Sequence, residues 1–567
     1  DLHSFLTRRS SDLKVEVPES WKNCEDEGLD YKTVSGDRKD VVDFVNNIQT
    51  KVSAQEGNNL PVSAFKEYVD GNTPSGSAAF EKRGIAVDVP VWNSENCIQC
   101  NFCSYVCPHA AIRPVAMTEE EAAKVEGATL PLTGMPQYKF TIAVSALDCT
   151  GCGSCANVCP GKKGEKALTM DKLDKHLDEQ KTFDYAVTLP IKEDVVAKFK
   201  ETTVKGSQFK QPLLEFSGAC AGCGETPYAK LITQLFGDRM YISNATGCSS
   251  IWGNSSPSTP YTVNAKGQGP AWDNSLFEDA AEFGYGMLLA QNAIRDELKE
   301  KVEQVAANEN ASEEVKAACK EYLDTFTVGA TNGTATDKLV AALEGIDCPT
   351  CKYIVANKNY LAKKSQWVFG GDGWAYDIGF GGVDHILASG KDINVMVFDT
   401  EVYSNTGGQS SKATKTGAVA QFAAGGKETK KKDLASIAMS YGYVYVAQIS
   451  MGADYAQTVK AIAEAEAYPG PSLIMAYAPC INHGIKKGMS KAQTEEKLAV
   501  ETGYWNNFRY NPAAEKKFSL DSKAPNMEGY QDFLKGEVRY ASLAMKNPER
   551  AATLFARNEA EIGRAHV

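Results

Sequence analysis

The chain has 567 residues, 43% of them hydrophobic and 23% charged, which exceeds one hydrophobic core and predicts two or three domains. Its formal net charge of −12 disfavours nucleic acid as a partner, because nucleic-acid binding needs a basic surface. No apolar stretch reaches the roughly 18 residues of a membrane span. Sixteen cysteines, most of them in C-x-x-C runs and without a secretory signal, predict metal or cluster ligation in a reducing compartment, the cytoplasm.

Both ends of the sequence look foreign to the protein. Residues 1–13 and 561–567 resemble translated sequencing-adaptor DNA, so we exclude them from fold reasoning. We expect the reading frame to be cut at both ends; naturally disordered termini are the alternative. Residues 14–84 are predicted to be the tail of a preceding domain, with a Gly-, Ser-, Thr- and Pro-rich linker from Gly71 to Gly84. A helical pattern within that tail is carried by Val41, Val42, Phe44, Val45 and Ile48.

The segment 85–210 contains the strongest signal in the sequence, the run C-x2-C-x2-C-x3-C-P, which occurs twice. This is the pattern of bacterial ferredoxins and predicts a small α+β ferredoxin-like domain with two [4Fe–4S] clusters. Three closely spaced thiolates hold one cluster, and the fourth cysteine of the run reaches the other cluster. The expected ligand sets are therefore Cys97, Cys100, Cys103 and Cys159 for one cluster, and Cys149, Cys152, Cys155 and Cys107 for the other.

Zinc is the competing interpretation of these cysteines. Zinc sites usually use two C-x-x-C pairs for each ion, whereas here three evenly spaced cysteines precede C-P in both runs. The sequence between the two runs is long for a free-standing ferredoxin and contains a predicted charged helix, Glu119 to Val125. The segment is therefore interpreted as a ferredoxin domain adapted to a larger assembly.

From residue 211 to 560, apolar strand-like runs alternate with helical segments, which predicts an α/β domain with a parallel sheet flanked by helices. The clearest strands are Gln366 to Phe369, Asn394 to Asp399, Val444 to Ile449 and Ser472 to Tyr477. Residues 290–345 are charged and helical, and are predicted to form a solvated pair of surface helices.

A thiamine diphosphate motif is indicated inside this domain. Gly371-Asp372-Gly373 follows one predicted strand, and the next strand leads through Asp399 to Asn405. The glycines allow the backbone to approach a diphosphate. A hard Mg²⁺ ion then needs oxygen ligands from phosphate, carboxylate, hydroxyl, carbonyl and water.

A third group of cysteines is scattered through the same domain. Cys220 and Cys223 form a C-x-x-C pair near its start, Cys248 follows an Ala-Thr-Gly sequence, and Cys480 follows a predicted strand. Spacing alone does not assemble these four residues. A C-x-x-C pair by itself fits a redox pair or half of a zinc site.

From about residue 40 to 555, the chain resembles the pyruvate:ferredoxin (flavodoxin) oxidoreductase family. The resemblance is to the C-terminal half of the proteins in that family. The resemblance rests on Cys220-Ala-Gly-Cys-Gly-Glu, Asn244-Ala-Thr-Gly-Cys, Gly267-Gln-Gly-Pro-Ala-Trp272, Ser275-Leu-Phe-Glu-Asp279, Glu95-Asn-Cys-Ile-Gln-Cys and the stretch from Asp399 to Gln409.

This resemblance implies roles for individual residues. Cys220, Cys223, Cys248 and Cys480 would hold a third [4Fe–4S] cluster, next to the thiamine diphosphate. Asp372, Thr400 and Val402 would supply a carboxylate, a hydroxyl and a backbone carbonyl to Mg²⁺. Gly371, Gly373, Asn405 and Cys248 would lie at thiamine diphosphate, and Asn405 and Glu225 are the catalytic candidates. For Glu225, a supporting or helix-capping role is the alternative.

The resemblance also implies an activity: oxidative decarboxylation of pyruvate to acetyl-CoA and CO2, with electrons passing through three clusters to ferredoxin or flavodoxin. Substrate-reading residues of the family lie in its N-terminal half, so we expect this chain alone to be inactive and the full-length protein to be a homodimer. An oxidoreductase for another 2-oxo acid and a non-catalytic iron–sulfur electron-transfer fragment remain alternatives. A zinc-binding interaction protein is a third, and would contain zinc without iron or sulfide.

Several other cysteines and histidines are predicted to be outside the site. Cys348 and Cys351 form a C-P-T-C sequence within the helical segment and are interpreted as unligated thiols. Cys24 and Cys319 are predicted to be ordinary free thiols. His109, His385 and His483 are predicted to pack or donate hydrogen bonds, and of these only His483 is expected near the site.

Overall fold

The computed structural model describes residues 17–23, 31, 33–255 and 258–562. Residues 1–13, residues 563–567 and Cys24 lie outside the described part of the chain, and the predictions for them stay predictions. The chain divides into two compact units, Asp1–Asn72 and Thr73–Val567. The predicted iron–sulfur and thiamine segments both belong to the second unit. No helix in the described part combines the length and apolar character that crossing a membrane requires.

The first unit is built on one interrupted helix. Lys39–Phe44 is α-helical, Val45–Gln49 widens to a π-helical turn, and Thr50–Ser53 resumes the α-helix. The apolar residues that predict this helix form its buried side, except Val42, which is half-buried. Short 3₁₀ turns complete the described part of this unit, at Glu19–Asn23, Gly57–Asn59 and Val62–Tyr68.

The eight clustered cysteines lie in a segment with two small sheets, as a ferredoxin-like α+β fold requires. Strands β1 (Asp88–Trp92) and β5 (Leu168–Lys172) pair antiparallel, and β2 (Ile112–Met117), β4 (Lys139–Val144) and β3 (Leu130–Pro131) form the second sheet in that order. The predicted charged helix forms but ends early, at Ala122. The α-helices of this segment are Phe102–Tyr105, Glu119–Ala122, Ser154–Val158, Glu179–Ala186, Glu193–Phe199 and Val204–Ser207.

The thiamine segment is organised around an eight-stranded sheet of order β13-β12-β10-β11-β9-β8-β6-β7. Six strands are parallel, which confirms the α/β prediction: β6 (Met240–Asn244), β7 (Ala271–Asn274), β8 (Ser365–Gly371), β9 (Asn394–Asp399), β10 (Tyr445–Ile449) and β11 (Ser472–Tyr477). The antiparallel strands β12 (Phe508–Tyr510) and β13 (Phe518–Leu520), which the sequence pattern does not predict, extend one edge.

The central strands are buried on both faces, and their alternate residues enter two separate cores. Val368, Val395 and Val397 face one core, while Trp367 and Met396 face the other. Such continuous apolar strands are typical of a parallel sheet covered by helices on both sides. The covering α-helices are Thr226–Phe236, Cys248–Ser250, Ala280–Ala306, Phe380–Ala388, Leu434–Met439, Tyr455–Ala467, Ala492–Glu501, Tyr530–Lys535, Val538–Lys546 and Pro548–Ile562.

The prediction of a solvated helix pair at 290–345 is wrong. Helix Ala280–Ala306 begins on the sheet, where the Ser243 hydroxyl donates to the Ala280 carbonyl oxygen at 2.7 Å. Its second half packs with three further helices, Glu313–Thr325, Gly329–Leu343 and Pro349–Ala356. Together these four helices enclose an apolar core of their own, which the charged surface pattern of the sequence conceals.

Helix Thr226–Phe236 connects the iron–sulfur and thiamine segments within the second unit. Each of its residues is buried, including Lys230, whose ammonium group donates to the carbonyl oxygens of Ser104 and Tyr105. These carbonyls end the short helix Phe102–Tyr105 inside the first cysteine run, where a cation is favoured by the helix dipole. The Tyr105 hydroxyl also donates to the Tyr455 carbonyl oxygen at 3.0 Å. The two segments therefore share a buried polar contact rather than a flexible joint.

We predict that Gly284→Ala destabilises the protein by about 1–3 kcal/mol, the usual range for overpacking. A Cβ at Gly284 would lie 2.8 Å from Val368 Cγ2 and 3.0 Å from Ser243 Cβ, where helix Ala280–Ala306 meets the sheet. Gly286→Ala is the matched control: it is on the same helix, with nothing within 4 Å of its Cβ position, and should gain up to about 1 kcal/mol of helix propensity. Guanidinium unfolding midpoints would measure both, and equal midpoints would contradict the close packing.

Candidate functional site

The structure brings the four cysteines of each predicted ferredoxin set around a cavity. One cavity is lined by Cys97, Cys100, Cys103 and Cys159. The other is lined by Cys149, Cys152, Cys155 and Cys107. In both cases the fourth cysteine comes from the opposite run, which is the exchange that the spacing predicts.

The two cysteine runs wind around these cavities in the same way. Gln99 and Asn101 in the first run have φ of 57° and 65°, and the equivalent Gly151 and Gly153 in the second run have φ of 69° and 75°. This left-handed backbone turns amide groups towards sulfur: the Gln99 amide donates to Cys97 Sγ at 3.4 Å, and the Gly151 amide to Cys149 Sγ at 3.3 Å. Amide hydrogen bonds of this kind stabilise a negatively charged thiolate cluster.

The arrangement of the cysteines bears on the choice between a cluster and zinc. A single zinc ion would draw its four sulfur ligands to about 2.3 Å from one point. In the described residues, no group of three or more His, Cys, Asp and Glu side chains closes on the position of a single metal ion. The exchange of the fourth cysteine between the two runs is the arrangement of a two-cluster ferredoxin.

The third cysteine group assembles at the carboxyl edge of the large sheet. Cys248 follows β6 and Cys480 follows β11, so parallel strands deliver both residues to one edge. The Cys220–Cys223 loop reaches them through close backbone contact, because a Cβ at Gly224 would lie 2.5 Å from the Pro479 nitrogen. The Gly224 amide donates to the Pro479 carbonyl oxygen at 3.1 Å.

The thiolate form of the third group's cysteines is electrostatically unfavourable without a cationic centre. Burial, with smaller contributions from Glu225 and neighbouring cysteines, raises the pKa values of Cys223 and Cys248. Burial also raises the pKa of Cys480 to about 12. Thiolates are the metal-binding form of cysteine, so iron would be needed to hold these groups deprotonated. Cys220 is exposed and interacts electrostatically with Cys480, which places it at the open side of the group.

Glu225 lies against the third cysteine group as a buried carboxyl. Its Oε2 accepts a hydrogen bond from Trp252 Nε1 at 2.7 Å, and its backbone amide donates to Cys223 Sγ at 3.4 Å. Burial raises its pKa to about 7. The side chain makes no capping bond to helix Thr226–Phe236, so the structure gives Glu225 a position beside the cysteines rather than a capping role.

The three predicted Mg²⁺ ligands lie together in a buried pocket of oxygen atoms. Thr400 Oγ1 is 3.0 Å from Asp372 Oδ1 and 3.0 Å from the Val402 carbonyl oxygen. Neighbouring ligands of an octahedral Mg²⁺, each roughly 2.1 Å from the ion, lie about 3.0 Å apart. The donor set therefore fits the metal in both chemistry and spacing. Ser411, which the sequence analysis does not single out, donates to Asp372 Oδ2 at 2.6 Å.

The motif glycines have different surroundings. A Cβ at Gly373 would lie 2.5 Å from the Tyr403 ring, whereas one at Gly371 would meet nothing closer than 3.9 Å. Gly373 is therefore required by packing, and Gly371 leaves open backbone at the end of β8. Asn405 is exposed on the turn that follows. Next to it, Ser404 Oγ lies 3.2 Å from Cys248 Sγ, so the third cysteine group and the thiamine motif are in direct contact.

Glu401 holds this turn in place, and sequence reasoning missed it. Its φ of 58° is unusual for a residue with a side chain, and the strain falls between two predicted Mg²⁺ ligands. Its buried carboxylate lies 3.2 Å from Lys431 Nζ and 3.0 Å from an Arg539 Nη atom, and it also accepts from the Tyr504 hydroxyl. Although burial opposes ionisation, Lys431 and Arg539 hold the pKa of Glu401 below its ordinary value.

His483 lies near the site as predicted, but the prediction that it alone does so is wrong, because His109 also lies against the cysteine groups. His483 Nε2 is 2.7 Å from the Thr400 carbonyl oxygen, which connects the Cys480 loop to the Mg²⁺ pocket. His109 is buried between the Ser217 and Cys220 carbonyl oxygens, at 3.1 and 3.3 Å. His385 packs edge-on against Tyr285. Lys230, Trp252, Ser411, Lys431 and Arg539 are the residues that no local motif indicated, and Glu401 lies inside a motif that gave it no role.

Comparisons with known protein families agree with these sites. Residues 96–163 match the family described as a 4Fe-4S dicluster domain, and residues 354–476 match the thiamine pyrophosphate enzyme, C-terminal TPP binding domain. Residues 33–86 match the EKR domain, whose function is unknown. The chain thus contains iron–sulfur and thiamine diphosphate-binding sequence in the order that its motifs predict.

Individual relatives match nearly the whole chain. It is 54% identical to the pyruvate-flavodoxin oxidoreductase of Enterobacter agglomerans, over 96% of this chain and 46% of that protein. It is 53% identical to the pyruvate:ferredoxin oxidoreductase of Moorella thermoacetica, over 97% and 47%. The mitochondrial pyruvate dehydrogenase (NADP(+)) of Euglena gracilis is 45% identical, over 95% and 30%. The predicted resemblance is confirmed, and the chain spans about half the length of the first two relatives.

We predict that Glu401→Gln costs about 3–5 kcal/mol of stability, because it leaves Lys431 and Arg539 buried without their shared carboxylate. The strained turn should loosen, so Mg²⁺-dependent binding of thiamine diphosphate should weaken in the same variant. Thermal unfolding and calorimetric titration would measure the two effects.

Glu428→Gln is the control for this substitution. Glu428 also pairs with an arginine, Arg550, at 2.7 Å, but both side chains are exposed, so neither stability nor cofactor binding should change measurably. Equal behaviour of the Glu401 and Glu428 variants would show that the buried network does not hold the turn.

Proposed function

We propose that this chain carries the iron–sulfur and thiamine part of a pyruvate:ferredoxin (flavodoxin) oxidoreductase. The full enzyme would convert pyruvate and coenzyme A to acetyl-CoA and CO2 and pass the electrons to ferredoxin or flavodoxin. The observation that carries the proposal is the contact between the two cofactor sites: Cys248 Sγ, in the third cysteine group, lies 3.2 Å from Ser404 Oγ in the thiamine motif.

Thiamine diphosphate would be held at the carboxyl edge of the sheet, where ligands of parallel α/β folds bind. Asp372, Thr400 and Val402 would hold Mg²⁺, and Gly371 and Asn405 would lie on the open side of the pocket. When bound, thiamine diphosphate supplies the electron sink for decarboxylation of a 2-oxo acid. The protein fixes the metal-binding oxygens, excludes water from Asp372 and Thr400, and keeps an electron acceptor adjacent.

The three cysteine groups would form one electron path. From the thiamine motif, the first stop would be the group of Cys220, Cys223, Cys248 and Cys480. The Gly222 backbone lowers the pKa of Cys152 and is therefore close to it, which favours the Cys107/Cys149/Cys152/Cys155 cluster as the second stop. Cys155 interacts electrostatically with Cys103, and the short helices inside the two cysteine runs, Phe102–Tyr105 and Ser154–Val158, pack together. The Cys97/Cys100/Cys103/Cys159 cluster would therefore be third.

The Cys97/Cys100/Cys103/Cys159 cluster, the last in this path, would be the exit to the acceptor protein. Ile98 beside it is exposed, and the lysines Lys162, Lys163 and Lys166 are exposed on the loop that follows Cys159. Lys205 interacts electrostatically with Cys97 and Cys100. A cationic rim of this kind steers an acidic electron carrier to the cluster.

The substrate and the assembly rest on the resemblance. Each of the three relatives has pyruvate in its name, which favours pyruvate over other 2-oxo acids. The chain spans about half the length of two of them, so the remaining half would supply the substrate-reading residues. A homodimer and a cytoplasmic location stay predictions.

We predict about twelve iron and twelve sulfide for each chain after anaerobic purification, the content of three [4Fe–4S] clusters. Cys248→Ser should lower both values to about eight, because it removes one ligand of a single cluster. Cys319→Ser, at a buried thiol outside the three groups, is the control and should leave both values unchanged. Retention of thiamine diphosphate, measured on the same samples, would support the second cofactor site.

The alternatives give different results in this assay. Zinc without iron or sulfide would contradict the oxidoreductase proposal altogether. Eight iron atoms in the unsubstituted chain would show that Cys220, Cys223, Cys248 and Cys480 hold no cluster. Twelve iron atoms without thiamine diphosphate in the presence of Mg²⁺ would favour an electron-transfer fragment.

A further inference from the structure

Four of the sixteen cysteines are outside the three predicted cluster sets, and two of these four are close together in sequence. Cys348 and Cys351 flank Pro349 and Thr350 at the start of helix Pro349–Ala356, in the four-helix layer on the sheet. They share no cavity with the twelve cysteines assigned to clusters. The proposal that follows therefore does not rest on the proposed function.

The local structure brings the two thiols together. Cys348 is the N-cap of the helix, and its sulfur accepts a hydrogen bond from the Cys351 amide at 3.4 Å. The two thiols are also close enough for each to shift the ionisation of the other. Residues three apart at a helix start have Cα atoms about 5 Å apart, within the range that a disulfide bridges without moving the backbone.

The two thiols differ in the way that a dithiol exchange pair requires. Cys348 is half-buried and lies between the exposed residues Asp347 and Pro349. The hydrogen bonds from Cys351 lower the pKa of Cys348, whereas burial and the bond to Cys348 raise the pKa of Cys351 to about 11. Cys348 is thus the accessible thiol that ionises first, and Cys351 is the protected thiol behind it.

We propose that Cys348 and Cys351 form a redox-active dithiol that exchanges with low-molecular-weight disulfides. The thiolate of Cys348 attacks one sulfur of a disulfide R–S–S–R, forming a mixed disulfide and releasing one thiol R–SH. Cys351 then loses its proton and attacks Cys348 Sγ, which releases the second R–SH and closes the Cys348–Cys351 disulfide. Two thiols of the protein are oxidised, and one small disulfide is reduced to two thiols.

A third thiol makes the proposal specific. Cys319, on helix Glu313–Thr325, is fully buried and interacts electrostatically with Cys351. It has no exposed surface, so a small disulfide reaches Cys348 first. The expected product is therefore the Cys348–Cys351 bond and not a bond between Cys319 and Cys351.

The test uses the complete chain with its clusters, treated anaerobically with 2-hydroxyethyl disulfide, which is uncharged. Remaining thiols are blocked with N-ethylmaleimide and the protein is digested with trypsin. Residues 339–352 form one peptide with both cysteines, and residues 317–320 form another with Cys319. We expect the first peptide to become lighter than the dithiol form by two hydrogen atoms and to lose both maleimide labels, while cluster absorbance is unchanged.

Two variants test the order of attack. In Cys351→Ala the mixed disulfide should accumulate on Cys348, because the resolving thiol is absent. Cys348→Ser should abolish oxidation of the peptide, and it keeps the helix cap because serine is a good N-cap residue. The proposal is overturned if the peptide of the unsubstituted chain keeps both maleimide labels. It is also overturned if residues 339–352 become crosslinked to residues 317–320, or if Cys348→Ser reacts as fast as the unsubstituted chain.

Discussion

The site depends on one buried charge arrangement, in which Lys431 and Arg539 share the carboxylate of Glu401. Glu401 has left-handed backbone, with φ of 58°, which costs about 1–3 kcal/mol at a residue with a side chain. Its ion pairs, of 3.2 and 3.0 Å, oppose that cost and fix the turn. Because Thr400 and Val402 flank Glu401, their oxygen atoms converge on Asp372 only while this turn is held.

A second constraint is the close approach of backbone around the cysteines. A Cβ at Gly222 would lie 2.7 Å from the Met489 carbonyl oxygen, so only glycine fits there. The backbone of the same glycine lowers the pKa of Cys152, so the Cys220–Cys223 loop lies against the ferredoxin-type segment. Lys230 adds a buried cation between the segments and interacts electrostatically with Cys103 and Cys107. The close packing thus falls at the contact that the proposed electron path would use.

The sequence predicts those parts of the molecule whose chemistry is local. The two repeated runs predict how their eight cysteines divide into two ligand sets, and the structure places each set around one cavity. Fully buried strands such as Asn394–Asp399 are apolar enough to be located within a residue or two. The helical layer was misjudged because its buried core residues are spread over four amphipathic helices. The pairing of Glu401 with Arg539 is not predictable from the sequence, since only the folded chain brings the two residues together and Arg539 belongs to no local motif.

The buried carboxyl groups around Asp372 lack enough neighbouring positive charge, which explains why this part of the molecule needs its cofactors. Asp372 and Asp399 are both fully buried, and burial together with Asp399 raises the pKa of Asp372 well above its ordinary value. Lys431 pairs with Asp399 and Glu401, but no ion pair to Asp372 occurs among the described residues. A divalent cation at Thr400 and Val402 would supply the missing positive charge. Buried thiols such as Cys223 and Cys480 would have the same need once ionised, and iron would meet it, so binding of metal would contribute directly to the stability of the fold.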